Sequence, residues 1–242
     1  MPRIRPSILF IYGLVITLLA FIFRESSSIF IIAIPNLAIG IILGWRRYKI
    51  IIFLFILGYI GLFINSLLVA NQGAVVFKFL FLVVREGALK AANSIFFRLG
   101  LITGGTLIFL SLSDPLETVR TLENDLRLPK GPTFSIYYAL RLLPLVDRIY
   151  RDLRFIRRER GYRGYIITPR DFSTFLLPLL SNLLDKAYWT GIAVELRGFN
   201  IRRRLHEPIK LSRYDYIVIL IMIIQVMIPI AISIGILPRI SI

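Results

Sequence analysis

The hydrophobic pattern divides the chain before anything else does. Residues 7–23, 29–45, 50–77 and 216–238 form four uncharged apolar runs. A fifth, 99–113, is short but extends back through 94–97 with Arg98 inside it. A spanning helix needs about 20 apolar residues, with a lower limit near 17, so the pattern predicts about five transmembrane helices. Pro35 and Asn36 interrupt the second run. Such a break is tolerated in a bilayer where neighbouring helices satisfy the freed backbone groups. The third run exceeds one span, and residues 75–84 are read as a short or re-entrant helix.

Between the fourth and fifth spans the pattern changes to charged residues with apolar stripes at helical spacing. Asp114-Pro115-Leu116-Glu117 opens a short helix, with Asp114 as cap, Pro115 in the first position and Glu117 as the capping-box partner. Leu116, Val119, Leu122 and Leu126 recur on one side, and Pro129, Gly131 and Pro132 end it. A second helix is expected from about Thr133 to Arg160, with Leu142, Leu145, Val146, Ile149, Leu153 and Ile156 as its stripe. A third follows Pro169, with Asp171 as cap and Leu176, Leu179, Leu180, Leu183, Leu184, Ala187, Tyr188 and Gly191 as its stripe. Pro144 and Pro178 should each mark a kink or packed bend. These helices are too polar to span and too apolar to stand alone.

Charge sharpens this division. The chain carries 30 Lys+Arg against 14 Asp+Glu, a net charge of +16. In a soluble protein that excess would suggest nucleic acid. A mean hydropathy of +0.75 and 57% hydrophobic residues indicate a membrane protein instead. Residues 113–213 hold 19 of the basic and 11 of the acidic side chains. Lys and Arg favour the cytoplasmic side. Arg3 and Arg5 before the first span, and Arg46, Arg47 and Lys49 after the second, place those ends inside. The charged stretch then also falls inside and the C-terminus outside. Arg85, Lys90 and Arg98 sit near the outer half of the fourth span and are read as lining the protein interior. The first run has the basic start and apolar core of a signal peptide, but Arg24-Glu25 directly follows that core, which argues against cleavage. The organisation expected is therefore a transmembrane region over 1–112, a cytoplasmic region over 113–213 and a last transmembrane helix over 214–242.

Both long helices end on the same unit. Arg160-Gly161-Tyr162 closes one and Arg197-Gly198-Phe199 the other, 37 positions later. Each follows a Leu-Pro-Leu segment, Leu143-Pro144-Leu145 or Leu177-Pro178-Leu179. Glycine just past a helix end supplies the left-handed residue that stops it. Arginine in the last turn complements the helix dipole, and its planar fork can donate several hydrogen bonds into a partner's groove. One such ending is an ordinary cap. Two on adjacent basic helices, beside a membrane region, point to docking.

In these features the sequence resembles the transmembrane T component of energy-coupling factor (ECF) transporters, the EcfT/CbiQ family. Ser113-Asp114-Pro115, Leu128-Pro129, the stretch 140–145, Glu195 to Phe199 and the two Arg-Gly units carry the resemblance. It covers about residues 111–200; the N-terminal region agrees in character and segment count. The resemblance implies an all-α polytopic membrane protein with three cytoplasmic coupling helices crossing as a scissor. It implies that Arg160 and Arg197, flanked by Glu159 and Gly161 and by Leu196 and Gly198, enter grooves on two ABC-type ATPase subunits, different or identical. The family usually has Ala before each Arg; here Glu159 and Leu196 stand there. A small substrate-binding membrane protein, the S component, would be the third partner. The implied role is coupling in an importer of a vitamin or a transition-metal ion, in the cell membrane of a prokaryote.

Chemistry of the chain's own is not indicated. With 0 Cys and 1 His, thiolate metal sites, cysteine nucleophiles and His-rich zinc sites are ruled out. There is no Gly-x-x-x-x-Gly-Lys-Ser/Thr loop for a nucleotide. The expectation is thus a non-catalytic subunit that binds no cofactor, with ATP and Mg on its partners. Gly104-Gly105 reads as a close helix contact, and His206-Glu207-Pro208 as a solvated loop. The alternative is a membrane enzyme acting on lipid or isoprenoid phosphates. It would need paired acidic metal ligands, and Asp147 with Asp152, or Asp114 with Glu117, do not supply them. Arg202-Arg203-Arg204, just before a membrane helix, fixes topology or touches anionic lipid; no nucleic-acid partner is expected.

Overall fold

The computed structural model describes residues 4–23, 26–69, 75–79, 82–162, 168–199 and 211–234. It is an α-helical protein with one small hairpin. The elements are α1 (Pro6–Ile22), α2 (Ser26–Gly44), α3 (Lys49–Val69), β1 (Val75–Phe79), β2 (Leu82–Arg85), α4 (Glu86–Leu112), α5 (Pro115–Asp125), α6 (Lys130–Glu159), α7 (Pro169–Leu196) and α8 (Arg213–Ser233). Among the described residues three helices are long and apolar enough to cross a membrane, over Lys49–Ser66, Leu89–Leu112 and Arg213–Ser233; Pro6–Ile22 and Ile29–Gly44 are shorter apolar helices. Together they account for the five apolar runs of the sequence.

The short or re-entrant helix expected over 75–84 is replaced by the hairpin. Val75 pairs with Arg85, Phe77 with Val84, Lys78 with Val83 and Phe79 with Leu82, antiparallel. A brief apolar run fits a strand or a helix by periodicity alone. Here valine and phenylalanine favour the extended chain.

The chain divides into two compact units, residues 1–125 with 209–242 and residues 126–208. In the first, α1, α2 and α4 enclose a core of Leu9, Tyr12, Ile16, Leu19, Ile29, Ile32, Leu101 and Ile108. The crossing of α2 and α4 is set by glycines. A Cβ on Gly104 would lie 2.6 Å from the Asn36 carbonyl, and one on Gly40 would lie 2.7 Å from the Gly104 carbonyl oxygen. Gly44 against Leu107 and Gly100 against Leu37 continue the same contact, so the two helices run parallel. Apolar side chains gain little by leaving lipid for one another, so close backbone approach is the main source of helix affinity in a membrane. The Gly104-Gly105 pair does serve helix contact, as its apolar setting suggests; Gly105 packs against Ile16 of α1.

A polar link lies inside this core. Asn36, 1% exposed, accepts a hydrogen bond from the Tyr12 hydroxyl and donates to the Ile32 carbonyl at 2.8 Å. The hydroxyl also lies 3.1 Å from the side-chain amide of Gln225 in α8. Its single proton is used on Asn36, so the Gln225 amide presents its NH2 to the hydroxyl oxygen. The break at Pro35-Asn36 is thus a link joining α1, α2 and α8. Of the basic residues expected to line the interior, Arg98 is half-buried with its Nε enclosed, whereas Lys90 is exposed, one turn into α4.

Candidate functional site

The second unit consists of α6, α7 and their ends. The helices run antiparallel, which four contacts establish. Phe134 packs on Phe199 with ring centroids 4.8 Å apart, and the Tyr138 and Thr190 hydroxyls lie 2.6 Å apart. Tyr150 meets Phe175 edge-on at 5.1 Å, and Arg157 pairs with Asp171 at 2.7 Å. The end of α6 therefore lies beside the start of α7, and the end of α7 beside the start of α6.

The start of α7 departs from expectation in one detail. Thr168, not Asp171, is the cap. The Thr168 hydroxyl oxygen accepts from Asp171 N–H at 3.2 Å, and the Asp171 carboxylate takes the Thr168 N–H at 3.3 Å and its O–H at 2.8 Å. Asp171 is the third residue of a capping box. Hydrogen bonds from the Thr168 hydroxyl and main chain, with help from Arg157, hold the Asp171 carboxyl below its usual range. Arg157 also donates to the Asp171 carbonyl at 2.8 Å and to Thr174 Oγ1 at 2.9 Å. The capping box was missed in the sequence, although Thr168-x-x-Asp171 was its local signal.

The two Arg-Gly endings have the same backbone. Gly161 N–H donates to Arg158 O at 2.9 Å and Tyr162 N–H to Arg157 O at 3.0 Å. Gly198 N–H donates to Glu195 O at 2.9 Å and Phe199 N–H to Val194 O at 3.3 Å. Gly161 has φ +78° and Gly198 φ +73°. Both endings are therefore Schellman caps, which need a residue in the left-handed region and so a glycine. Arg160 and Arg197 occupy the last half-helical position, with φ, ψ of −82°, 8° and −80°, 3°. Both side chains are exposed, as are Glu159 and Gly161; Leu196 is 84% exposed and Gly198 half-buried.

The structure does not bring the two arginines together. With α6 and α7 antiparallel they stand at opposite ends of the pair. From Asp171, beside one tip, to Arg197 at the other is 26 residues of helix, roughly 40 Å at 1.5 Å per residue. The surroundings differ as well. Beyond Arg160, Tyr162 lies 5.8 Å from the Arg157 guanidinium. Arg197 borders a shallow cavity lined by Phe134, Tyr138, Arg141, Trp189 and Thr190. Arg202-Arg203-Arg204 and His206-Glu207-Pro208 lie outside the described residues.

These features define a class: an all-α polytopic membrane protein carrying a pair of charged helices with matched, exposed, arginine-tipped ends. The CbiQ family model, described as cobalt transport protein, matches residues 3–207, and the chain belongs to that family. This is a family of transport components rather than of enzymes, and its members work within multi-subunit transporters. A comparison with curated proteins finds no match.

Proposed function

We propose that this chain is the coupling subunit of an ECF-type importer. It transmits the ATP-driven motion of two ATPase subunits to a small substrate-binding membrane protein that carries a vitamin or a transition-metal ion. The observation that carries the reading is the pair of matching arginine caps at opposite ends of α6 and α7. Each guanidinium is exposed on a backbone that cannot easily shift, which is what a lever needs at its points of attachment. Glu159 and Gly161 flank one contact, Leu196 and Gly198 the other. ATP binding draws the ATPases together and hydrolysis releases them; the tips follow. The stiff antiparallel pair passes the displacement on as a rigid-body movement. In this reading residues 113–213 face the cytoplasm of a prokaryotic cell and the spans lie in its cell membrane.

The test is purification from native membranes. Two P-loop ATPases and a small hydrophobic protein should accompany the chain. Changing both Arg160 and Arg197 to Glu should abolish ATPase association while the chain still inserts in the membrane. Unchanged association would reduce both arginines to helix caps and remove the basis of the proposal.

A further inference from the structure

A second polar cluster lies where α1 begins, α5 ends and α8 begins. Asp125, the last residue of α5, accepts a hydrogen bond from Ser7 Oγ at 2.5 Å on Oδ2, and its Oδ1 stands 3.5 Å from a terminal nitrogen of Arg5. Asn124 Nδ2 reaches the same Oδ1 at 3.2 Å. The main-chain N–H of Arg5 donates to Asp215 Oδ1 at 2.9 Å, while Asp215 Oδ2 takes the Ser212 N–H at 2.7 Å. Ser7 and Asp215 are buried, and the Asp125 side chain is only 11% exposed. Two carboxylates thus tie three chain segments together through Arg5. Burying charge this way is costly unless partners are held in place. The arrangement therefore fixes relative position more than it adds stability.

The location is what gives the cluster meaning. Of the three helices of the charged region, α5 alone belongs to the same compact unit as the membrane helices. The chain leaves Asp125 through four residues to α6, and among them Arg127 has φ +53°, a left-handed conformation uncommon outside glycine. A left-handed residue thus stands two positions beyond the last residue that is pinned.

We propose that Asp125 is a positioning residue that fixes α5 to α1 and α8, so that movement arriving along the chain from α6 reaches the membrane helices at this carboxylate. The inference rests on the coupling function proposed above. Without the carboxylate, the Arg5 guanidinium and the Ser7 hydroxyl lose their shared acceptor. The end of α5 is then free to slide, and ATP is consumed without driving uptake. Docking of the ATPases at Arg160 and Arg197 is unaffected, because neither arginine belongs to this cluster.

The test uses the complete complex. Asp125→Ala should lower substrate uptake at least about tenfold, while ATPase association and hydrolysis stay within about twofold of wild type. Because the chain contains 0 Cys, Ser7→Cys with Asp125→Cys introduces the only two thiols. Joining them with a short bis-methanethiosulfonate tether should restore at least half of the uptake, roughly a fivefold gain over the untethered protein, and reduction should abolish it again. Uptake unchanged in Asp125→Ala, or a tethered protein no better than the reduced one, would overturn the inference. Loss of ATPase association together with uptake would also overturn it, by showing a folding role only. A wild-type chain that recovers no ATPase would overturn the coupling function, and this inference with it.

Discussion

The two compact units hold themselves together by opposite means. In the unit of α1–α5 and α8, helix contact comes from backbone approach at Gly40 and Gly104 and from enclosed polar links at Asn36, Asp125 and Asp215. In the unit of α6 and α7, side-chain contacts spaced along their length join two long helices, and much of the α7 stripe stays exposed. Among its described residues Phe175 is the single buried apolar side chain, while Leu177, Leu184 and Trp189 are each more than two-thirds exposed. The first unit has lipid as its surroundings and needs specificity. The second leaves apolar surface uncovered on a charged pair of helices, a condition that normally marks an interaction face. One unit completes its own contacts; the other is built to have them completed.

The comparison breaks first at Gly104. Gly104→Leu places a side chain where the Asn36 backbone already lies and should cost more than about 3 kcal/mol. That loss reads out as failure to recover folded protein in detergent. Gly13→Ala, where a Cβ meets nothing within 4 Å, should leave the melting temperature nearly unchanged. Equal effects at the two glycines would deny the first unit its backbone crossing.

The second unit should respond in binding rather than in folding. On the proposed coupling function, Arg160→Glu or Arg197→Glu alone should each remove one of two ATPase attachments, a weakening of at least about 2 kcal/mol per tip. The thermal midpoint of the purified chain should not move. Native mass spectrometry of the complex would show the lost subunit. A single change that released both ATPases would show the two ends to be cooperative.

Most of the second unit was legible in the sequence. The paired Arg-Gly endings placed both helix ends within a residue, because glycine is nearly compulsory at φ near +75° and leaves a local trace. Apolar runs likewise revealed the five apolar helices. What stayed hidden was non-local or ambiguous. Asp125 meets Ser7 across 118 positions of sequence and Asp215 meets Arg5 across 210, so no window could connect them. The hairpin over 75–85 was hidden differently, since an apolar run of that length suits either extended or helical chain. The antiparallel order of α6 and α7 was implicit in their short connection but drawn from neither stripe.

Smaller effects refine the contrast. Gly161→Ala or Gly198→Ala puts a Cβ in the left-handed region and should cost about 1 kcal/mol each. The change should be visible as fraying of the last helical turn in hydrogen exchange at residues 158–162 or 195–199, with the membrane helices unaffected. Smallest is the acid response of the α6–α7 fastening. The folded-state pKa of Asp171 is lowered, so its contribution is complete above the unfolded carboxylate value of about 3.9. It disappears as pH falls through the lower folded value. The difference in unfolding midpoint between wild type and Asp171→Asn should be present at neutral pH and close below about pH 4. A difference that persists there would place the fastening elsewhere.

The antiparallel order of α6 and α7 has a further consequence. Two antiparallel helices with the same cap at each far end carry an approximate two-fold axis across their middle. A single subunit can therefore offer two nearly equivalent ends to a partner that is itself a symmetric pair, without any duplication of its own chain. Symmetry is broken at the residue before each arginine, Glu159 at one end and Leu196 at the other, and by the aromatic cavity beside Arg197. Those positions are where two unlike ATPases would tell the ends apart, and where a pair of identical ones would have to tolerate the mismatch.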